Sequence, residues 1–236
     1  MTEQIERRRG QLYGRRKGPK LSAHQTHLRE TLLLQLSVRL QSGADPRSYF
    51  SSPVEDVWLE VGFGAGEHLL WQAQQNPNIG LIGAEPYESG VAKLLTKLDS
   101  LSPNPLPQEG RGSNVRIYEG DARDIIEALP DASIGRFFIL FPDPWPKTRH
   151  HKRRFLQMEM LDQLARVLKP GAELRFATDD KSYLPYALER LMAHPQFAWT
   201  AENIMDWTAR PADWPQTRYE AKAIKGPPVF LRFIRR

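Results

Sequence analysis

"DVWLEVGFGAGEH", residues 56–68, passes from an apolar run through three alternating glycines into the start of a helical pattern. Residues 56–62 read as a buried strand and 67–75 carry helical spacing, so Gly62, Gly64 and Gly66 occupy a tight strand-to-helix turn. In open α/β sheets such turns lie where ligands bind. Outward from this turn the alternation continues. "IGLIGAE" (79–85), "NVRIYEG" (114–120), "SIGRFFILFP" (133–142) and "AELRFATD" (172–179) read as further strands, and helical patterns fall at 88–99, 122–129, 153–168 and 181–193. Five strands alternating with helices predict an α/β, doubly wound, mostly parallel sheet. "VFLRFIRR" (229–236) follows turn chemistry rather than a helix, which predicts an antiparallel strand at the sheet edge. Residues 102–113 are a Pro/Gly loop, and upstream Ser22 is a candidate N-cap for one helix through "AHQTHLRETLLLQLSVRL".

Charge is unevenly placed. Of 33 Lys and Arg against 28 Asp and Glu, residues 1–20 hold seven basic and two acidic residues, leaving the other 216 formally neutral. Within that neutral remainder, "KTRHHKRR" (147–154) carries five positive charges, a footprint suited to a polyanion. Residues 1–20 are expected to form a flexible basic tail, and 21–236 a single domain with its N-terminal helix. With no apolar run of membrane-spanning length and no signal-peptide pattern, the expected location is the cytoplasm. The absence of cysteine excludes disulfides, thiolate metal sites and any cysteine nucleophile.

A dinucleotide fingerprint would place its last glycine where Glu67 stands, and an acid at a helix N-terminus repels a pyrophosphate. A cofactor without phosphates fits better. S-adenosylmethionine is one, with an ammonium and a sulfonium for Glu60 and the glycine loop to face. Glu85, ending the second strand, is placed for two ribose hydroxyls, and Asp121, after the third, for the adenine edge, the plain alternative for Asp121 being a helix N-cap.

"FPDPWPKTRHHKRR" (141–154) follows the fourth strand. Pro142, Pro144 and Pro146 restrict the backbone, so Asp143 is held at the carboxyl edge of the sheet at little entropic cost. Trp145 offers a face for stacking a base. The basic run after it is expected to lead into a helix beginning near Arg153, with its charges along a phosphate backbone.

These residues resemble the bacterial tRNA (guanine-N7-)-methyltransferases. "FPDPWPKTRHHKRR" is similar to that family's signature, and "LEVGFGAG", "ATDD" and "TRYE" occur in the family's order across roughly residues 55–236. The resemblance implies the class I S-adenosylmethionine-dependent (Rossmann-like) fold, a seven-stranded sheet with an antiparallel last strand, and methyl transfer to N7 of a guanine in the variable loop of tRNA. It implies cofactor contacts at Glu60, Glu85, Asp121 and Asp143. Substrate contacts would fall on Lys147, Asp179, Thr217, Arg218, Tyr219 and Glu220, with Arg149, His150, His151, Lys152, Arg153 and Arg154 along the RNA. Pro86 and Tyr87 depart from the aliphatic residue and His that the family has after the second-strand acid.

Guanine N7 has a lone pair and no proton, so methylation there needs alignment and charge stabilisation rather than a general base. Asp143 is the candidate catalytic group. His150 and His151 have no acid cluster at ligand spacing beside them, so no metal is expected. Two readings compete: an exocyclic amino-group methyltransferase, because "DPW" echoes the loop of adenine N6 enzymes, and a non-catalytic RNA-binding protein on the same fold. Monomer and homodimer both remain open.

Overall fold

A computed structural model describes residues 16–101, 114–221 and 225–236. Most of the basic tail, the whole 102–113 loop and part of the turn before the last strand lie outside the described residues.

Ser22 caps the first helix, α1 (Ala23–Glu30), in a capping box. Its hydroxyl accepts the Gln25 N–H, and the Gln25 side chain accepts the Ser22 N–H. The single helix expected here is two, because Thr31 leaves helical geometry at ψ −75° before α2 (Leu32–Leu36). The central sheet then begins with β1 (Asp56–Val61), α3 (Glu67–Gln75), β2 (Ile79–Ala84), α4 (Glu88–Leu101), β3 (Val115–Tyr118), α5 (Ala122–Ala128) and β4 (Ile134–Leu140). It continues through α6 (Met158–Val167), β5 (Leu168–Thr178), α7 (Tyr183–Ala193), β6 (Phe197–Trp199), α8 (Met205–Thr208), α9 (Arg218–Ala221) and β7 (Val229–Arg235).

The seven strands run in the order β3-β2-β1-β4-β5-β7-β6, with β7 antiparallel to both neighbours and the remaining pairs parallel. The last strand is therefore antiparallel, as its lack of a crossover helix predicts, but it is not the edge. It inserts between β5 and β6, whose three residues are too short to show a pattern in the sequence. Alternation along the strands fills both faces. Val57, Leu59, Phe137 and Ile139 enter one core cluster, and Trp58 and Phe138 the other.

The helix expected from residue 153 starts later. Residues 148–153 form a 3-10 turn, and α6 begins at Met158 with Gln157 extended at its N-cap. The Gln157 side chain donates to His151 O and Arg154 O, and the Tyr183 hydroxyl accepts the Phe155 N–H, so side chains serve the backbone groups that a helix would have paired. The order of strands reverses between β1 and β4, and the loops leaving those two strands hold the glycine turn and Asp143.

Candidate active site

Gly62, Gly64 and Gly66 all have positive φ, at 68°, 56° and 70°, and Gly66 caps α3 in the left-handed conformation. A β-carbon would make this path costly at each position. The turn aims the Gly64 N–H at Glu85, whose Oε2 accepts it at 2.7 Å, while Glu85 Oε1 accepts the Tyr87 N–H at 2.9 Å. Glu85 is 6% exposed. Burial, with smaller contributions from the charges of Asp143 and Glu60, outweighs those two hydrogen bonds and raises its carboxyl above the usual value. The Pro86-Tyr87 departure thus leaves the acid supported, because only the Tyr87 backbone is used.

Glu60 is buried beside the same turn, with Oε2 2.7 Å from His68 Nδ1. Gln72 Nε2 approaches His68 Nε2 at 3.2 Å and donates to Asp213 O, so the imidazole presents its N–H to Glu60. Asp121 caps α5 through the Arg123 N–H and pairs with the Arg123 side chain, and its carboxylate also lines the main cleft. The cap and the cleft position coexist.

That cleft holds about 680 Å³, with Glu85, Tyr87, Asp121, Asp143, Trp145 and Arg153 in its wall. A second cavity of about 470 Å³ shares Gly62, Leu140 and Phe141 with it and is lined by Glu60, Gly64, Lys93 and Thr217 to Tyr219. Asp143 is exposed at the cleft and makes no hydrogen bond to another described residue. Its loop is more strained than the prolines alone imply. Phe141 and Trp145, two bulky residues, have φ of 50° and 44°.

Asp179, directly after β5, is 8% exposed and has no hydrogen bond to a described residue. Burial, with the Asp179 charge second, raises the Tyr219 phenol, which packs on Phe141 at 5.2 Å between centroids. Thr217 accepts the Glu220 N–H at the start of α9, and Glu220 Oε1 pairs with Arg210 while Oε2 is buried without a described partner. Glu67, which breaks the dinucleotide fingerprint, accepts the Arg218 N–H at 2.6 Å and ties α9 over the glycine turn.

Residues 55–229 match the model of a family described as "Putative methyltransferase". The chain is 46% identical over 231 residues to the tRNA (guanine-N(7)-)-methyltransferase of Rhodospirillum rubrum, covering 95% of this chain and 87% of the relative. Identity to the protein of the same name from Paramagnetospirillum magneticum is 47% over 235 residues, covering 97% and 94%. The chain belongs to the tRNA (guanine-N7-)-methyltransferase family. The fold agrees with this family. Solved structures of the 16S rRNA methyltransferase KamB and the antibiotic-resistance methyltransferase Kmr share it at TM-score 0.51 each, with 20% and 18% identity. They cover 84% of this chain in both cases and 97% and 99% of theirs. This is the class I methyltransferase sheet, and the cofactor of the family is S-adenosylmethionine.

The basic run divides in two. Lys147, Arg149 and Lys152 are exposed, whereas His150, His151 and Arg153 are half-buried around Trp145 and Tyr186. Burial and the cations Arg153 and Arg149 lower His150 below its ordinary value, so it adds no charge near neutral pH. Arg154, expected along RNA, is 0% exposed and cannot reach a phosphate from this position. Its guanidinium is used inside the protein. The expectation that cations crowd a helix N-terminus also fails, since α6 starts four residues beyond Arg154.

His68, Arg210 and Trp214 were not singled out by sequence. His68 is the second residue of the helix that follows the glycine turn after Glu60, a position that brings it back to Glu60; Arg210 and Trp214 lie in a stretch without periodicity. Among the described residues no cluster of three or more His, Asp or Glu could hold a metal, and no helix is long and apolar enough to cross a membrane.

Proposed function

We propose that this protein methylates N7 of a guanine in the variable loop of tRNA, in the cytoplasm, and that Asp143 is its catalytic carboxylate. When bound, S-adenosylmethionine supplies an electrophilic methyl group. The donor set fits that cofactor. Glu85 keeps a free lone pair on each oxygen for two ribose hydroxyls, and Asp121 lies in the same cleft. Glu60 beside the glycine turn faces the ammonium end, with Lys93 and Arg218 in that cavity as counter-charges for a carboxylate. No phosphate is accommodated by so acidic a turn.

What carries the assignment of Asp143 is that it is a carboxylate without a described hydrogen-bond partner, held by a strained loop in the wall of the cleft that contains Glu85. Asp143 accepts hydrogen bonds from the Watson–Crick edge of guanine and offsets positive charge developing on the purine ring. Asp179 and Tyr219 contribute a second acceptor and a flat apolar wall. Neither acid removes a proton, since N7 carries none. Trp145, with Arg153 over its ring at 5.0 Å, flanks the entering base. Lys147, Arg149 and Lys152 take phosphates.

The test is atomic. A tRNA transcript made with 7-deazaguanosine replaces N7 by a C–H and should accept no methyl, while the unsubstituted transcript accepts one. Equal methylation of both would contradict N7 as the target.

A further inference from the structure

We propose that Arg154 is a positioning residue that fixes the separation of the two carboxylates assigned to the guanine, Asp143 and Asp179. The proposal rests on that assignment.

The side chain of Arg154 is completely buried although it closes a surface-charged run. Its Nε donates to Pro144 O at 2.7 Å, its Nη1 to Ser182 O at 3.2 Å and its Nη2 to Ser182 Oγ at 3.0 Å. The rings of Tyr183 and Tyr186 lie 4.9 and 4.5 Å from the guanidinium carbon. From Ser182 the path continues, since its N–H and hydroxyl both donate to Asp180 Oδ1, at 2.9 and 2.6 Å. Asp180 Oδ2 in turn receives Lys225 at 2.8 Å. Pro144 follows Asp143 and Asp180 follows Asp179. A continuous chain of hydrogen bonds therefore joins the loop after β4 to the turn after β5, with one guanidinium at its centre.

An apolar side chain would fill this space with less desolvation cost, but would not hold a carbonyl on one side and a turn on the other. A planar fork with donors in fixed directions does both, and the tyrosine rings hold its plane. The carbonyl it holds belongs to Pro144, between the two positive-φ residues Phe141 and Trp145, where the backbone persists only if its surroundings over-determine it. Misplacement by about 1 Å at such a point costs about 100-fold in rate.

The experiment is steady-state kinetics of Arg154→Lys, Asp143→Asn and the double variant, with cofactor affinity and the salt dependence of tRNA binding measured on each. Arg154→Lys keeps the charge and loses the fork. Its kcat should fall about 30- to 100-fold, with cofactor affinity and salt slope at parent values. The double variant should match Asp143→Asn within about three-fold, because both changes remove one function. A salt slope reduced by about one with kcat intact would make Arg154 a phosphate ligand and overturn the proposal. So would an Arg154→Lys loss that adds in full to that of Asp143→Asn. If Arg154→Lys does not fold, Ser182→Ala removes the hydroxyl between Arg154 and Asp180. It should lower kcat about five-fold with tRNA affinity unchanged, and unchanged kcat would overturn the proposal. Asp143→Asn at parent kcat would refute the assignment of Asp143 whatever Arg154 does, whereas an impaired Asp143→Asn beside a fully active Arg154→Lys would refute the spacer alone.

Discussion

The Gly64 backbone N–H donates to Glu85 Oε2 at 2.7 Å, so the glycine turn after β1 and the acid after β2 are held as one unit. The loop proposed to approach one end of the cofactor and the acid proposed to take its ribose cannot drift apart without breaking this bond. Gly64 donates the bond at φ 56°, a conformation that a residue with a β-carbon adopts only with strain.

Cofactor binding should depend on pH through Glu85. Burial raises its carboxyl above the ordinary value, and ribose hydroxyls favour the charged form, so binding lowers the pKa again and releases a proton. Affinity should therefore be full well above the raised pKa and fall as pH is lowered through it. Titration calorimetry in buffers of different ionisation enthalpy measures both the affinity and the proton. Glu85→Gln should weaken binding about ten-fold and remove the pH dependence over that range.

Asp143→Asn preserves the shape of the loop and removes the charge. The expected loss in kcat is at least about 100-fold, with cofactor affinity within about three-fold of the parent. Single-turnover kinetics with saturating tRNA measures the first and equilibrium binding the second.

Exposed and buried members of the basic run should separate by salt dependence. Arg149→Ala and Lys152→Ala should each reduce the slope of log affinity for tRNA against log salt by about one. Filter-binding titrations across a salt series give that slope directly.

Asp180 contributes to stability rather than to charge recognition. Burial would raise its carboxyl, but hydrogen bonds from Lys225 and Ser182 outweigh burial and hold it at about 2. A folded-state value below the unfolded one means that the stabilisation is complete above about 4 and is lost as pH falls toward about 2. After allowance for solvent screening, the contribution is about 1 kcal/mol. Asp180→Asn should lower stability by about that amount at neutral pH and approach the parent in acid, as urea unfolding at a series of pH values measures.

The part of the site that was legible in the sequence is the part written by punctuation. Glycines at alternate positions, acids ending apolar runs and prolines around Asp143 each state a backbone requirement locally. The succession of five strands and intervening helices through β5 followed from the same alternation. What was not legible depends on partners distant in sequence. Arg154 reads as one more surface cation until Tyr183 and Tyr186, some thirty residues on, close over it. Glu67 reads as a defect in a dinucleotide motif until Arg218 supplies its backbone N–H across 151 positions. The place of β7 inside the sheet depends on β6, three residues long, and the late start of α6 depends on side chains of Gln157 and Tyr183 that take the place of helical bonds. Positive φ at Phe141 and Trp145 carries no sequence signal, because nothing in either residue type favours it.

The most direct measurement incubates the purified protein with S-adenosylmethionine and unmodified bulk tRNA, digests the RNA and identifies the methylated nucleoside by chromatography and mass. The expected product is 7-methylguanosine, absent when Asp143→Asn replaces the parent at matched time. Another methylated nucleoside, or 7-methylguanosine formed undiminished by Asp143→Asn, would contradict that expectation.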